Sequence, residues 1–208
     1  MVDWKTPIAD ILRDDFVLED AWSTSHLTLE DALSHRTGLA RHDWSTARHY
    51  DGHEATVRDI TRSLRHLPLA EPPRTTFQYC NLMYVVASHA VEILTSRWLG
   101  DVLKDWIWQP LGMNQTFFAL EDARKAGADV ATGYYWDAKK AAYVEVRYMP
   151  MSEVSGAGSV LSNAKDYAKW IRSLIDGTGP LSPAVHEEIK KPRILESNNA
   201  GYFDAPPL

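Results

Sequence analysis

The chain has 208 residues, of which 45% are hydrophobic and 11% aromatic, and this suffices for one domain with a buried core. Its formal net charge is −6 without a basic run, so the composition argues against nucleic acid as a partner. No apolar run approaches the roughly 20 residues of a membrane-spanning helix, and no secretory signal pattern is visible at the start. We therefore expect a cytoplasmic location by default. The single cysteine, Cys80, excludes an internal disulfide.

Helical periodicity begins with two capping patterns. Thr28 followed by Asp31 has the spacing of a capping box and predicts a helix over Leu29 to His35. Thr56 and Asp59 repeat that spacing, and apolar residues behind them recur at helical intervals. These patterns predict two amphipathic helices in the first third of the chain.

A longer helix is predicted over residues 81–95, which are apolar on nearly all faces. A helix of this kind is usually central, so we expect it to form the core. A shorter helix is predicted over 101–107. Ser162 or Asn163 is expected to cap a further helix that ends at Gly177, and a last, polar helix follows it.

Strand signal is sparse and is concentrated in one hairpin. Residues 131–136 and 143–148 are aromatic and β-branched, and a short polar stretch separates them. Because a lone hairpin does not make an independent sheet, the predicted fold is mainly α with one or two short hairpins. We divide the chain into a domain at 1–192 and an irregular tail at 193–208.

Tyr79 and Asn81 are the candidate catalytic residues. Side chains alternate along an extended segment, so these two face one way and Cys80 faces the other, just before the predicted core helix. A phenol and an amide presented together can serve a hydrolase, with Tyr79 as general base and Asn81 as partner of a substrate amide. The alternative is structural: Asn81 is an N-cap that accepts a backbone hydrogen bond, and Tyr79 is a partly buried aromatic.

Other motifs favour structure over chemistry. His49 and His53 have a zinc-like spacing, but a turn signal lies between them, so no metal is expected. Ser162 and Lys165 form the only Ser-x-x-Lys of the chain, but Ser162 lies at the predicted helix cap, which argues against a nucleophile. Residues 156–158 read Gly-Ala-Gly and lack the third glycine of a nucleotide loop.

Several ordered blocks carry a family resemblance: residues 27–39, 77–81 and 108–113, and the glycine-rich turn at 153–158 with the helix after it. Together they resemble the serine β-lactamase-related family, in particular fungal members of its class C β-lactamase-like esterases and D-aminopeptidases. The resemblance implies the helical lobe of the α+β β-lactamase/transpeptidase-like fold. It also implies a serine hydrolase that acts through an acyl-enzyme on ester, amide or β-lactam carbonyls of small molecules or peptides, without cofactor or metal.

The resemblance assigns a role to Tyr79 and Asn81 and identifies what this sequence lacks. Family sites combine a Ser-x-x-Lys, a Tyr-x-Asn, and a Lys-Thr-Gly or His-x-Gly on a strand. Tyr79 and Asn81 match the second element, and nothing at a corresponding place matches the other two. A tyrosine, with a pKa near about 10, needs a nearby cation to act as a base at neutral pH. We therefore expect a truncated member that lacks most of the antiparallel sheet and is inactive as written.

Two alternatives of another class remain open. The chain can be a pseudoenzyme that binds a ligand without turnover, in which case binding is saturable but no acylation follows. It can also require a partner chain that supplies the sheet. A helical lobe without its sheet exposes apolar surface, so self-association through that surface is a further expectation.

Overall fold

The computed structural model describes residues 2–46, 49–149 and 151–196, and these residues are mainly helical with short antiparallel hairpins, as predicted. Two strand pairs are formed in these ranges, by β1 (His49–Tyr50) with β2 (His53–Glu54) and by β3 (Gly133–Asp137) with β4 (Ala142–Val146). The α-helices of these ranges are α1 (Ile8–Leu12), α2 (Ala21–His26), α3 (Leu29–Leu33), α4 (Val57–Ser63), α5 (Asn81–Thr95), α6 (Leu99–Leu103), α7 (Leu120–Lys125), α8 (Ser155–Gly158), α9 (Ala164–Asp176) and α10 (Pro183–Lys190).

The capping residues determine where several helices begin and end. Thr28 and Thr56 form the predicted capping boxes at α3 and α4. Of the two candidates Ser162 and Asn163, it is Asn163 that caps α9. Gly177 ends α9 with a φ of +64°. Each of these capping residues lies within a few positions of the helix end that it forms, so the sequence alone predicted those ends.

Other boundaries differ from the predictions. The helix α3 ends at Leu33, two residues before the predicted end, because His35 adopts a left-handed φ of +55°. The helix predicted over 101–107 begins at Leu99 and continues after α6 as a π-helical turn over Lys104–Trp108. The helices α1, α2, α7 and α8 were not predicted, because each has only four to six residues and is too short for periodicity to be read.

The core surrounds α5, as the sequence predicted, although not all of this helix is buried. Ile93 and Leu94 in its last turn are half exposed, because only its first three turns are enclosed by neighbours. A smaller cluster is centred on Trp108 and Phe118. No helix in the described ranges is long and apolar enough to cross a membrane. The main cluster comprises Ile8, Leu12, Phe16, Leu18, Leu27, Ala32, Leu39, Ala55, Val57, Ile60, Leu64, Cys80, Leu82, Met83, Val85, Val86 and Ala90.

The Gly-Ala-Gly segment serves helix packing. A Cβ added to Gly156 would lie 2.5 Å from the carbonyl oxygen of Tyr84 and 2.6 Å from Cβ of Ser88. The helix α8 can therefore lie directly against α5 only because residue 156 has no side chain.

The hairpin β3–β4 forms where it was predicted, and its aromatic side chains are exposed. Trp136 packs edge-on against Tyr143 with ring centroids 5.2 Å apart, but 55% and 73% of these two residues remain accessible. The hairpin thus exposes apolar aromatic surface. Its coverage by a partner chain or by self-association stays a prediction. The division at residue 192 also stays a prediction, since only 193–196 of the proposed tail are described.

A buried carboxylate joins the start of α3 to the residues just after this helix and to a distant loop. Asp31 is fully buried and accepts hydrogen bonds from Nε of Arg36 at 2.6 Å and from Nη2 of Arg74 at 2.7 Å. Burial opposes ionisation of Asp31, but the hydrogen bonds from Arg74, Thr28 and Arg36 outweigh it and hold the pKa of its carboxyl below its usual value. Asp31 therefore fixes the residue-74 loop to α3.

We predict that Asp31→Ala destabilises the chain by about 3 kcal/mol, because it removes the anion shared by two guanidinium groups that lie partly out of solvent. Asp59→Ala is the matched control, since Asp59 occupies the same capping-box position in α4 but bonds His53 and, in the described contacts, no arginine hydrogen-bonds to it; we expect a loss of about 1 kcal/mol. Urea unfolding measures both free energies. Equal losses for the two variants would contradict the role given to the arginines.

Candidate active site

The segment that leads into α5 pairs with His35. The N–H of Gln78 donates to the carbonyl oxygen of His35 at 2.7 Å, and the N–H of Cys80 donates to its Nδ1 at 3.1 Å. Since Nδ1 accepts, the ring is neutral with its proton on Nε2. Burial lowers the pKa of His35 and so favours this neutral acceptor. Residues 78–80 are thereby held extended against the end of α3.

Tyr79 and Asn81 lie side by side at the start of α5. The Tyr79 hydroxyl donates to Oδ1 of Asn81 at 2.9 Å, and both residues are half-buried. Cys80 points the opposite way into the core, as the alternation of an extended segment predicted, and burial raises the pKa of its thiol to about 11. The structure therefore brings the two candidate catalytic residues into direct contact.

Asn81 is not the helix cap that the structural alternative predicted. Cys80 occupies the N-cap position, and Asn81 is the first residue of α5. The Asn81 side chain is bonded to other side chains instead of to a backbone N–H, because its oxygen accepts from Tyr79 and its nitrogen donates to Asp43. The capping prediction was wrong for this reason.

Two charged residues that the sequence analysis missed complete the site. Nδ2 of Asn81 donates to Oδ1 of Asp43 at 3.0 Å, and Arg41 holds the other carboxylate oxygen through Nε and Nη2, each at 2.8 Å. Cζ of Arg41 lies 4.9 Å from the centroid of the Tyr79 ring. Tyr79, Asn81, Asp43 and Arg41 thus form a closed cycle of contacts, which we call the Tyr79 cycle.

Gly38 directs the loop that carries Arg41 and Asp43. Its φ is +81°, and a Cβ at this position would lie 2.0 Å from the carbonyl oxygen of Glu71. Only glycine meets both constraints. The loop therefore leaves α3 in a direction that brings residues 41–43 to the start of α5.

The remaining sequence candidates lie outside the Tyr79 cycle. Oγ of Ser162 is 2.8 Å from Oγ1 of Thr116, but Ser162 and Lys165 are both exposed, so this Ser-x-x-Lys lies on the surface at the start of α9. His53 contacts Asp59, with 3.1 Å between Nε2 and Oδ2. Within the described ranges, no three histidine, cysteine or acidic side chains are grouped as metal ligands.

A cavity in the described part of the chain is separate as well. It has a volume of about 530 Å³ and lies between α6 and α7, with Trp98, Trp108 and Phe118 in its lining. It shares no residue with the Tyr79 cycle, so we place the candidate site at the cycle because chemically competent groups meet there.

A family model for Beta-lactamase matches residues 2–205, and the chain belongs to this family. The family resemblance of the sequence blocks is thereby confirmed. Among solved structures, the D-amino acid amidase from Ochrobactrum anthropi SV3, complexed with L-phenylalanine amide, is 25% identical with a TM-score of 0.71. The similarity covers 90% of this chain and 52% of that one.

Two similar proteins from Aspergillus are hydrolases. The unguisins hydrolase ungD' of Aspergillus campestris is 49% identical over 195 residues, or 93% of this chain, and the unguisins hydrolase ungD of Aspergillus violaceofuscus is 44% identical over 178 residues, or 84%. The chain spans 36% and 31% of their respective lengths. It therefore corresponds to about a third of these relatives.

Proposed function

We propose that this stretch supplies Tyr79 and Asn81 to the site of a serine hydrolase that attacks an ester, amide or β-lactam carbonyl through an acyl-enzyme. The observation that carries the proposal is the Tyr79 cycle, in which a phenol and an amide are hydrogen-bonded at a helix start next to an arginine. Membership of the Beta-lactamase family and the hydrolase relatives support it. The substrate is a small molecule or peptide.

Tyr79 is proposed as the general base of this reaction and Asn81 as its hydrogen-bonding partner. A general base takes the proton of the attacking hydroxyl while the oxygen of that hydroxyl bonds to the substrate carbonyl carbon. In the arrangement described, the Tyr79 hydroxyl still carries its proton and donates it to Asn81. Arg41 is a cation at the ring, but its charge is offset by Asp43, so it does not replace a lysine beside the phenol oxygen.

We further propose that residues 1–208 by themselves do not catalyse turnover of a substrate. Their only Ser-x-x-Lys, at Ser162 and Lys165, is exposed at the start of α9 with Ser162 bonded to Thr116, and no Lys-Thr-Gly occurs. The hydrolase relatives are about three times as long, so we propose that the remaining catalytic groups and the larger antiparallel sheet come from sequence outside this stretch. A pseudoenzyme that binds without turnover is the alternative for the stretch alone.

We predict that the purified 208-residue chain hydrolyses neither a chromogenic cephalosporin, nor a nitrophenyl ester, nor a D-amino-acid anilide above background, because a tyrosine and an asparagine do not replace an activated serine. A fluorescent penicillin or fluorophosphonate reports acylation directly. Stoichiometric labelling of any serine, Ser162 included, would refute this prediction.

A chimera tests the role of Tyr79. We expect the Aspergillus campestris relative, with its matching third replaced by this chain, to hydrolyse unguisins, since the two segments are 49% identical. Tyr79→Phe in this chimera should lower kcat by about 100-fold or more, because the general base is lost while the ring is kept.

Tyr167→Phe is the matched control for that measurement. Tyr167 is an exposed tyrosine of α9 outside the Tyr79 cycle, so the same chemical change should leave kcat unchanged. Full activity of Tyr79→Phe in an active chimera would exclude Tyr79 as the general base.

A further inference from the structure

Both ends of the Asn81 amide are engaged by side chains from different segments. Its oxygen accepts from Tyr79 at 2.9 Å, and its nitrogen donates to Asp43 at 3.0 Å. A primary amide has one accepting end and one donating end, whereas a carboxylate only accepts. The group that bonds one end of the amide therefore determines whether its oxygen or its nitrogen is left for the group at the other end.

We propose that Asp43 is a positioning residue that fixes the orientation of the Asn81 amide and thereby the direction of the Tyr79 hydroxyl. The proposal rests on the proposed function of Tyr79 and Asn81. Because Asp43 only accepts, it selects the NH₂ end of Asn81 and leaves the carbonyl oxygen as the partner of Tyr79. An inverted amide would bring its oxygen against the carboxylate, where two acceptors without a proton repel each other.

Arg41 holds Asp43 in the position that this role requires. Its Nε and Nη2 both contact Oδ2 of Asp43 at 2.8 Å, which leaves Oδ1 for Asn81. The planar guanidinium also lies over the Tyr79 ring, with 4.9 Å from Cζ to the centroid. Both contacts hold Oδ2 of Asp43 on the side of Arg41, and the cation–π contact links this loop to the Tyr79 ring.

Without Asp43, both amide orientations are available to Asn81. The Tyr79 hydroxyl would then meet either an oxygen or an NH₂ group and would lose its single direction. Asp43 is not part of the buried apolar cluster around α5, so we expect this change to alter the geometry of the site and leave the core intact.

The orientation can be measured on the 208-residue chain by NMR with ¹⁵N-asparagine labelling. The chain has five asparagines, and Asn81→Ala assigns the signal of interest. In Asp43→Ala we expect the Asn81 NH₂ protons to exchange with solvent at least about fivefold faster, because their acceptor is removed. Asp43→Glu keeps an acceptor-only carboxylate and should retain most of the protection.

Asp105→Ala is the matched control. Asp105 is, like Asp43, an aspartate paired with an arginine, Arg97, and it bonds none of the asparagines that the structure describes. It should leave the Asn81 signal unchanged, and thermal unfolding should be cooperative in all variants. The proposal would be overturned if the Asn81 NH₂ protons exchanged at an unchanged rate in Asp43→Ala, or if they lost equal protection in Asp43→Glu and Asp43→Ala.

The chimera gives a second readout. There we expect Asp43→Ala to lower kcat by about tenfold with KM within about twofold, because misorientation of Tyr79 affects the transition state more than substrate binding. An unchanged kcat in an active chimera would overturn the proposal. If Tyr79→Phe keeps full activity, the proposed function fails, while the NMR result still decides whether Asp43 orients Asn81.

Discussion

The pairing of residues 78–80 with His35 is the constraint on which the candidate site depends. One residue accepts hydrogen bonds from two backbone N–H groups of the segment, through its carbonyl oxygen and through its ring. With this segment extended, Cys80 points into the core, and Tyr79 and Asn81 point together toward the loop at 41–43. Asp31, one turn before His35, supports the same arrangement, because it fixes Arg74, four residues before this segment.

The site is assembled from segments that are distant in sequence. Asp43 and Asn81 are 38 residues apart, and they meet because Gly38 turns the loop toward α5. The contacts of the Tyr79 cycle are made by side chains on loops and at a helix start, whereas the core beneath them is made of packed helices. A rigid scaffold that presents polar groups on its loops is the usual arrangement of enzyme sites.

Local signals made part of the fold predictable. The capping boxes at Thr28 and Thr56, the stop at Gly177 and the apolar run of α5 each lie within one turn or one element, so the sequence alone revealed them. The short helices carried too few residues for a periodicity. The contact between Tyr79 and Asn81 followed from alternation, but His35, Arg41 and Asp43 act through contacts over long sequence distances, which no local pattern encodes. The capping role of Asn81 was wrong because tertiary partners compete for its side chain.

Amide hydrogen exchange at Cys80 tests the central constraint most directly. His35→Ala removes the ring acceptor but keeps the carbonyl oxygen, so exchange at Cys80 should rise by about fivefold while exchange at Gln78 stays unchanged. His35→Asn places an oxygen near the position of Nδ1 and tolerates the positive φ, so it should keep the protection of Cys80. Unchanged exchange at Cys80 in His35→Ala would contradict the claim that His35 holds the segment that presents Tyr79 and Asn81.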